Sequence, residues 1–212
     1  MSDGSATVFL LDDEPGVVVA LGRILQANGF SISAWTSASA FLNAHDPQAP
    51  GCLITDLRMP GISGLDVQRT LLARRADRPV IFLTGQGDVR TTVLGMRAGA
   101  VTVLPKPVQS TELVEAVRDA ISEDAAKRAR HRKGNDISAR LARLTPRERQ
   151  VLGLIETGKL NKQIAAELGT AVQTIKIHRR RIMGKMHVRN ATALMGLLYR
   201  GQPAANLDAQ LR

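Results

Sequence analysis

Cys52-Leu53-Ile54-Thr55-Asp56-Leu57-Arg58-Met59-Pro60-Gly61 is a short apolar run that stops on a carboxylate and leaves through a Pro-Gly turn. Cys52–Thr55 has the length and composition of a buried strand, too short for a helix. Reading outward, the same pattern recurs. Val8–Leu11 ends on Asp12-Asp13, Val80–Leu83 on Thr84-Gly85, and Ala100–Leu104 just before Lys106-Pro107, with a further strand at Ser31–Trp35. Between them lie segments of helical spacing at 16–28, 37–44, 64–75 and 88–98, and another begins near Ser110. Val17, Val18, Leu21, Ile24 and Leu25 share one face of the first. Asp13 and Pro15 suit its start and Asn28-Gly29 its end. Five strands alternating with five helices predict an α/β, doubly wound, five-stranded parallel sheet. Ligands of such sheets sit at the carboxyl ends of the strands. Asp12, Asp13, Asp56, Thr84 and Lys106 all fall there, so they are expected to converge.

Three carboxylates in one crevice repel each other. A hard divalent cation with oxygen ligands, Mg²⁺ above all, offsets that repulsion. A carboxylate held this way can attack phosphorus and carry the group as an acyl phosphate. The metal neutralises charge on the transferring oxygens, Lys106 adds a positive charge and Thr84 a hydroxyl donor. Taken singly, Asp12 or Asp13 reads equally well as a helix cap, Thr84 as a turn residue and Lys106 as a solvated lysine. Their order and common place at strand ends favour the joint site.

Leu10-Leu11-Asp12-Asp13, Thr55 to Gly61, Leu83-Thr84-Gly85 and Leu104-Pro105-Lys106-Pro107 together resemble the response-regulator receiver domain over residues 1–122. The resemblance implies a flavodoxin-like fold in which Asp56 is the phosphoacceptor, served by a sensor histidine kinase. It implies Mg²⁺ on Asp13, Asp56 and the backbone carbonyl of Arg58, with Asp12 acting through water. Thr84 and Lys106 then contact the phosphoryl oxygens, and the Lys106–Pro107 bond is cis. The sequence departs from the family at Val103, where an aromatic residue is usual.

Charge divides the chain. Residues 1–124 carry 10 Lys/Arg against 14 Asp/Glu, and residues 125–212 carry 19 against 5. Such asymmetry predicts two domains with different partners, the second a polyanion. Tyr199 is the only aromatic residue after Phe82, which disfavours base-stacking single-strand or RNA platforms and favours double-stranded DNA. A single cysteine, Cys52, excludes an internal disulfide. No stretch approaches the roughly 18 apolar residues of a membrane span and no signal peptide is visible. These features place the chain in the cytoplasm.

Residues 110–133 read as one helix with a basic tail, Lys127-Arg128-Ala129-Arg130-His131-Arg132-Lys133, taken mainly as a solvated face of a linker over 123–143. Gly134-Asn135 is expected to break it, before a short helical segment at 137–144. Thr145-Pro146-Arg147-Glu148 starts a further helix. Helices at 146–157, from Asn161, near 172–187 and near 191–200 follow, with a turn at Gly169. Helices two and three of this set form a helix-turn-helix whose second member enters the major groove. No acidic residue lies between Glu167 and Asp208. Ile175, Ile182 and Met186 make one apolar stripe, so Lys176, Arg179 and Arg180 face away from it. Ala171 at the start of the third helix has no side chain that can cap, and Thr170 is offered as an earlier cap.

Leu144 to Arg149, Asn161-Lys162-Gln163-Ile164-Ala165 and Thr174 to Arg179 resemble the LuxR/NarL-type DNA-binding domain. Domain order and the run Arg181-Ile182-Met183-Gly184-Lys185-Met186 look most like the FixJ branch. The resemblance implies base contacts from Lys176, Ile177 and Arg180, and phosphate contacts from Thr174, Arg179 and Lys185. The expectation is a receiver (1–122), a linker (123–143) and a separate all-α, four-helix helix-turn-helix domain (144–212). Together they make a non-enzymatic regulator of transcription that forms a homodimer when Asp56 is phosphorylated. Two alternatives stay open: a DNA-binding regulator with a vestigial receiver, supported by Val103, and a Mg²⁺-dependent phosphatase.

Overall fold

The computed structural model describes residues 6–85 and 89–201. Within its first unit the strands are β1 (Thr7–Leu11), β2 (Ser31–Trp35), β3 (Gly51–Asp56), β4 (Val80–Thr84) and β5 (Thr102–Pro105). The helices are α1 (Pro15–Ala27), α2 (Ala38–Ala44), α3 (Gly64–Ala73), α4 (Val89–Arg97) and α5 (Ser110–Ala142). All strand pairs are parallel, in the order β2-β1-β3-β4-β5.

Alternation along each strand sends side chains to two separate cores. Val8 and Leu10 of β1 join Cys52, Ile54, Ile81 and Leu83 under α1 and α5, where Leu21, Leu25, Leu113 and Val117 close the layer. Phe9 and Leu11 point the other way and join Leu53 and Phe82 under α2 and α3, against Phe41, Val67 and Leu71. Sheets covered on both faces have near-continuous apolar strands, and every residue of β3 and β4 is buried.

The second unit begins after residue 128, inside α5. It comprises α6 (Pro146–Glu156), α7 (Asn161–Glu167), α8 (Val172–Met186) and α9 (Ala191–Gly201). Its core gathers Leu144, Val151, Leu152, Ile155, Ile164, Ile175, Ile182, Met186 and Leu194, with Leu141 packed against it. The Thr145/Glu148 capping box with Pro146 opens α6. Gly169, at φ +60°, turns the chain between α7 and α8, a conformation that costs glycine nothing.

Four local expectations are corrected. The N-cap of α1 is Glu14, without a side-chain cap bond. Asp13 does not cap; instead Asp12 Oδ1 accepts the Glu14 N–H at 3.0 Å. β5 begins at Thr102, not Ala100. α8 starts behind Ala171, with no side-chain cap from its N-cap position, so an earlier start capped by Thr170 is not what forms. Finally, α5 runs unbroken through Gly134-Asn135.

Candidate functional site

The parallel register fixes the first site. Leu11 pairs with Thr55 and Asp56 with Leu83, so β1, β3 and β4 end level and their terminal residues meet. Ligand oxygens of Asp12, Asp13 and Asp56 all lie within 4.8 Å of one another. Asp12 is fully buried, Asp56 is 8 % exposed and Asp13 is partly exposed. β5 brings in Lys106, whose N–H binds the Thr84 carbonyl at 2.7 Å. Its Nζ sits 2.5 Å from Asp56 Oδ2 and 2.7 Å from Asp12 Oδ2, with Glu14 Oε1 at 3.4 Å. The Lys106–Pro107 bond is cis. Thr84 is buried and close by in sequence register, its hydroxyl 3.5 Å from the Gly85 carbonyl. Arg58 N–H holds Asp56 Oδ1 at 2.8 Å.

Burial raises the Asp12 pKa and repulsion from Asp56 adds to it, against the hydrogen bonds from Lys106 and the Glu14 N–H. Burial also disfavours charge on Lys106, but its bonds to Asp12 and Asp56 outweigh that and raise its pKa above the ordinary lysine range. One ammonium thus faces Asp12, Asp13, Asp56 and Glu14. An all-oxygen donor set with surplus negative charge is what a hard divalent cation takes, so the residues fit Mg²⁺.

Two glycines let the neighbouring helices approach. A Cβ on Gly64 would press on the Asp56 carbonyl, and the Gly64 N–H reaches the Leu57 carbonyl at 3.3 Å. The N-terminus of α3 is thereby seated against the loop that follows Asp56. A Cβ on Gly95 would lie 3.0 Å from Val103 Cγ2 and 3.1 Å from Phe82 Cδ2. α4 packs close on β5 where the sequence departs from the receiver pattern. A cavity of about 370 Å³ beside Asp13 is lined by Thr36, Ser37, Ser39, Met59 and Ile62 among others, and, among the described residues, by no cationic side chain.

The second site is α8. Ile175, Ile182 and Met186 are fully buried, while Lys176, Ile177 and Arg180 are exposed and Thr174 and Arg179 partly so. Ile177 leaves 46 % of its surface open between Lys176 and Arg180. A groove of about 790 Å³ beside the helix has Lys162, Lys176 and Arg179 above Ile155, Val172 and Met195. Lys185, expected at a phosphate, also has partners within the unit. Its ammonium is 2.6 Å from Glu148 Oε2 and 3.0 Å from the Arg143 carbonyl, so it serves the interior of the unit. Burial disfavours a charged Glu148, yet the Lys185 pair and the Thr145 N–H hold its carboxyl below the ordinary range. The capping box was visible in the sequence; its tie to a lysine 37 positions away had no local signal. Arg140 was also missed: its Nη1 caps the Met186 carbonyl at 2.9 Å.

Comparison with known proteins places one family match on each unit. Residues 8–118 match the response regulator receiver domain and residues 142–198 the bacterial regulatory proteins of the luxR family. The response regulator protein TodT of Pseudomonas putida is 40 % identical over 92 % of this chain and 86 % of its own length. The transcriptional regulatory protein FixJ of Azorhizobium caulinodans is 38 % identical over 94 % and 96 %. Among solved structures, the response regulator StyR matches with a TM-score of 0.85 at 39 % identity, over 92 % of this chain and 99 % of that one. The chain belongs to the response regulators, with a receiver domain followed by a luxR-family DNA-binding domain.

Proposed function

We propose that Asp56 is the phosphoacceptor of this regulator and that its modification controls DNA binding by α8. One observation carries the reading: Lys106 Nζ bridges Asp56 and Asp12 inside a triad of carboxylates whose ligand oxygens lie within 4.8 Å. Asp56 attacks the phosphorus of a phosphohistidine on a sensor kinase. A P–O bond forms, the P–N bond breaks, and the imidazole leaves with the electron pair and takes a proton. Asp13, Asp56 and the Arg58 carbonyl, with Asp12 through water, would hold Mg²⁺. Bound there, it neutralises charge on the transferring oxygens. Lys106 then moves from carboxylate to phosphoryl oxygen, and the Thr84 hydroxyl donates to another.

The new group adds roughly −1.5 to −2 charges at the ends of β3 and β4. It biases the receiver toward pairing with a second copy. Pairing makes DNA binding bivalent and raises its effective affinity. On each copy Lys176, Ile177 and Arg180 meet base edges, and Thr174 and Arg179 meet phosphates of double-stranded DNA. Lys185, held by Glu148, is not carried forward as a phosphate contact. Turnover of an external phosphoester has less support, because among the described residues that line the cavity beside Asp13 none is cationic. The protein works in the cytoplasm, where kinase and DNA meet; among the described residues no helix is long and apolar enough to cross a membrane.

Operator binding, measured with and without Mg²⁺ and a small phosphodonor for wild type and Asp56→Asn, tests this. Tighter binding by the phosphorylated wild type alone is expected. Equal binding in all four conditions, with phosphorylation confirmed by mass, would refute control through Asp56 and leave the vestigial-receiver alternative.

A further inference from the structure

The stretch of α5 from Ser122 to Asp136 contains no large apolar side chain. The last receiver-core residue on the helix is Ala120, with Ile121 packed beside it. Gly134 is a weak helix former, and Arg128 and Arg132 set like charges at i,i+4. Against these, Ala125, Ala126 and Ala129 and the i,i+4 pairs Glu123–Lys127 and Asp124–Arg128 favour helix; with no large apolar side chain on the segment, what fastens it to the receiver is polar.

Those contacts are at the amino-terminal end of the sheet, opposite Asp56. Asp124 is 3 % exposed. Its Oδ2 accepts the Gly51 N–H at 2.8 Å and Arg128 Nε at 2.7 Å. Arg128 donates Nη1 to the Gln48 carbonyl at 2.8 Å and Nη2 to the Ala49 carbonyl at 2.7 Å. Arg78, itself buried with its guanidinium over the Phe9 ring, donates to the same Ala49 carbonyl at 2.8 Å. Lys127 adds a pair with Asp77 at 3.1 Å. The loop between α2 and β3 is thus gripped on one carbonyl by two guanidiniums, one from beneath and one from α5. Gly51 cannot be replaced there: its φ is +132° and a Cβ would run into Thr7.

We infer that Arg128, oriented by Asp124, is a positioning residue for the switch: it fastens α5 to the α2–β3 loop, and without it the Asp56 state no longer reaches DNA binding. This rests on the function proposed above. The guanidinium fork is essential, because three acceptors in different directions take Nε, Nη1 and Nη2 at once. An ammonium is a point charge and cannot reproduce that pattern.

The test uses the full chain as wild type, Arg128→Ala and Arg128→Lys. Amide hydrogen exchange over residues 121–133 should accelerate at least tenfold in both variants, with β1, β3 and β4 unchanged. Phosphorylation by the small donor, read by intact mass, should proceed as in wild type. The ratio of operator affinities with and without phosphorylation should collapse toward one. Unchanged exchange in Arg128→Ala overturns the clasp. So does full recovery by Arg128→Lys, which would reduce it to a charge effect, and so does an intact affinity ratio despite accelerated exchange. A wild type lacking any phosphorylation-dependent ratio would instead defeat the proposed function, and the exchange measurement would still decide whether the clasp exists.

Discussion

At the scale of single residues, charge alone is a poor guide to role. Lys176 and Lys185 are nine positions apart on one basic helix, yet one is exposed and the other is paired with a buried carboxylate. Lys185→Met leaves Glu148, 2 % exposed, without its cation. Breaking such a pair costs about 3 kcal/mol, so the melting temperature of the DNA-binding unit should fall clearly. At temperatures where the variant is folded, the slope of log affinity against log salt should match the wild type. A slope reduced by roughly one would restore Lys185 as a phosphate contact. Gly64 poses the converse problem, a residue whose value is the side chain it lacks. Its conformation suits alanine, which as the better helix former should gain up to about 1 kcal/mol in an isolated helix. Here the added Cβ meets the Asp56 carbonyl. Gly64→Ala should therefore slow phosphorylation of Asp56 at least tenfold, measured by mass against time. A normal rate would mean that α3 yields without moving the acceptor.

At the scale of elements, legibility followed the range of the interactions. The strands could be read because β3 and β4 are buried along their whole length and end on chemistry-bearing residues. The convergence of Asp12, Asp13, Asp56 and Lys106 could be read because parallel register brings strand ends together. Helix α5 could not. Gly134 is a local stop signal, and the long-range bonds on either side of it, from Arg128 to carbonyls 79 and 80 positions earlier and from Arg140 to one 46 positions later, have no local sequence signal. Ala171 shows the same limit: α8 begins without a side-chain cap because its buried stripe, Ile175, Ile182 and Met186, holds it. The loop gripped by Arg128 also starts at a titrating group. Burial pushes the His45 pKa down to about 4, and Arg78 and Arg74 act the same way against Asp46. His45 lies edge-on to Phe9 and tilted against Phe41, with Arg78 Nη2 at 3.5 Å. Its folded pKa is below the unfolded value near 6.5, so neutral histidine favours the fold. That stability is complete above pH 6.5 and is lost progressively as pH falls toward 4. Between pH 6.5 and 5 few carboxylates titrate, so the melting temperature of the receiver should decline there, and His45→Phe should flatten the decline. An equal decline in both proteins would remove His45 as its cause.

At the scale of the whole molecule, the opposite charges of the two halves set how the regulator meets DNA. The surplus of positive charge beyond residue 124 provides sequence-independent attraction, and each phosphate neutralised adds about 0.9 to the salt slope. Two ways of tightening DNA binding on phosphorylation then differ in a measurable way. If modified receivers pair and deliver two copies of α8 to one operator, the phosphates contacted per complex double. The slope of log affinity against log salt should then come close to twice that of the unmodified chain on a single half-site. If phosphorylation instead freed a single copy to bind better, affinity would rise with the slope unchanged, because the same Thr174 and Arg179 contacts would be made. Titrations of full-length protein on one-half-site and two-half-site DNA, between 50 and 200 mM salt on the order used for such slopes, separate the two. A doubled slope confined to phosphorylated protein on paired half-sites is the outcome that bivalent binding requires, and a single slope throughout would exclude it.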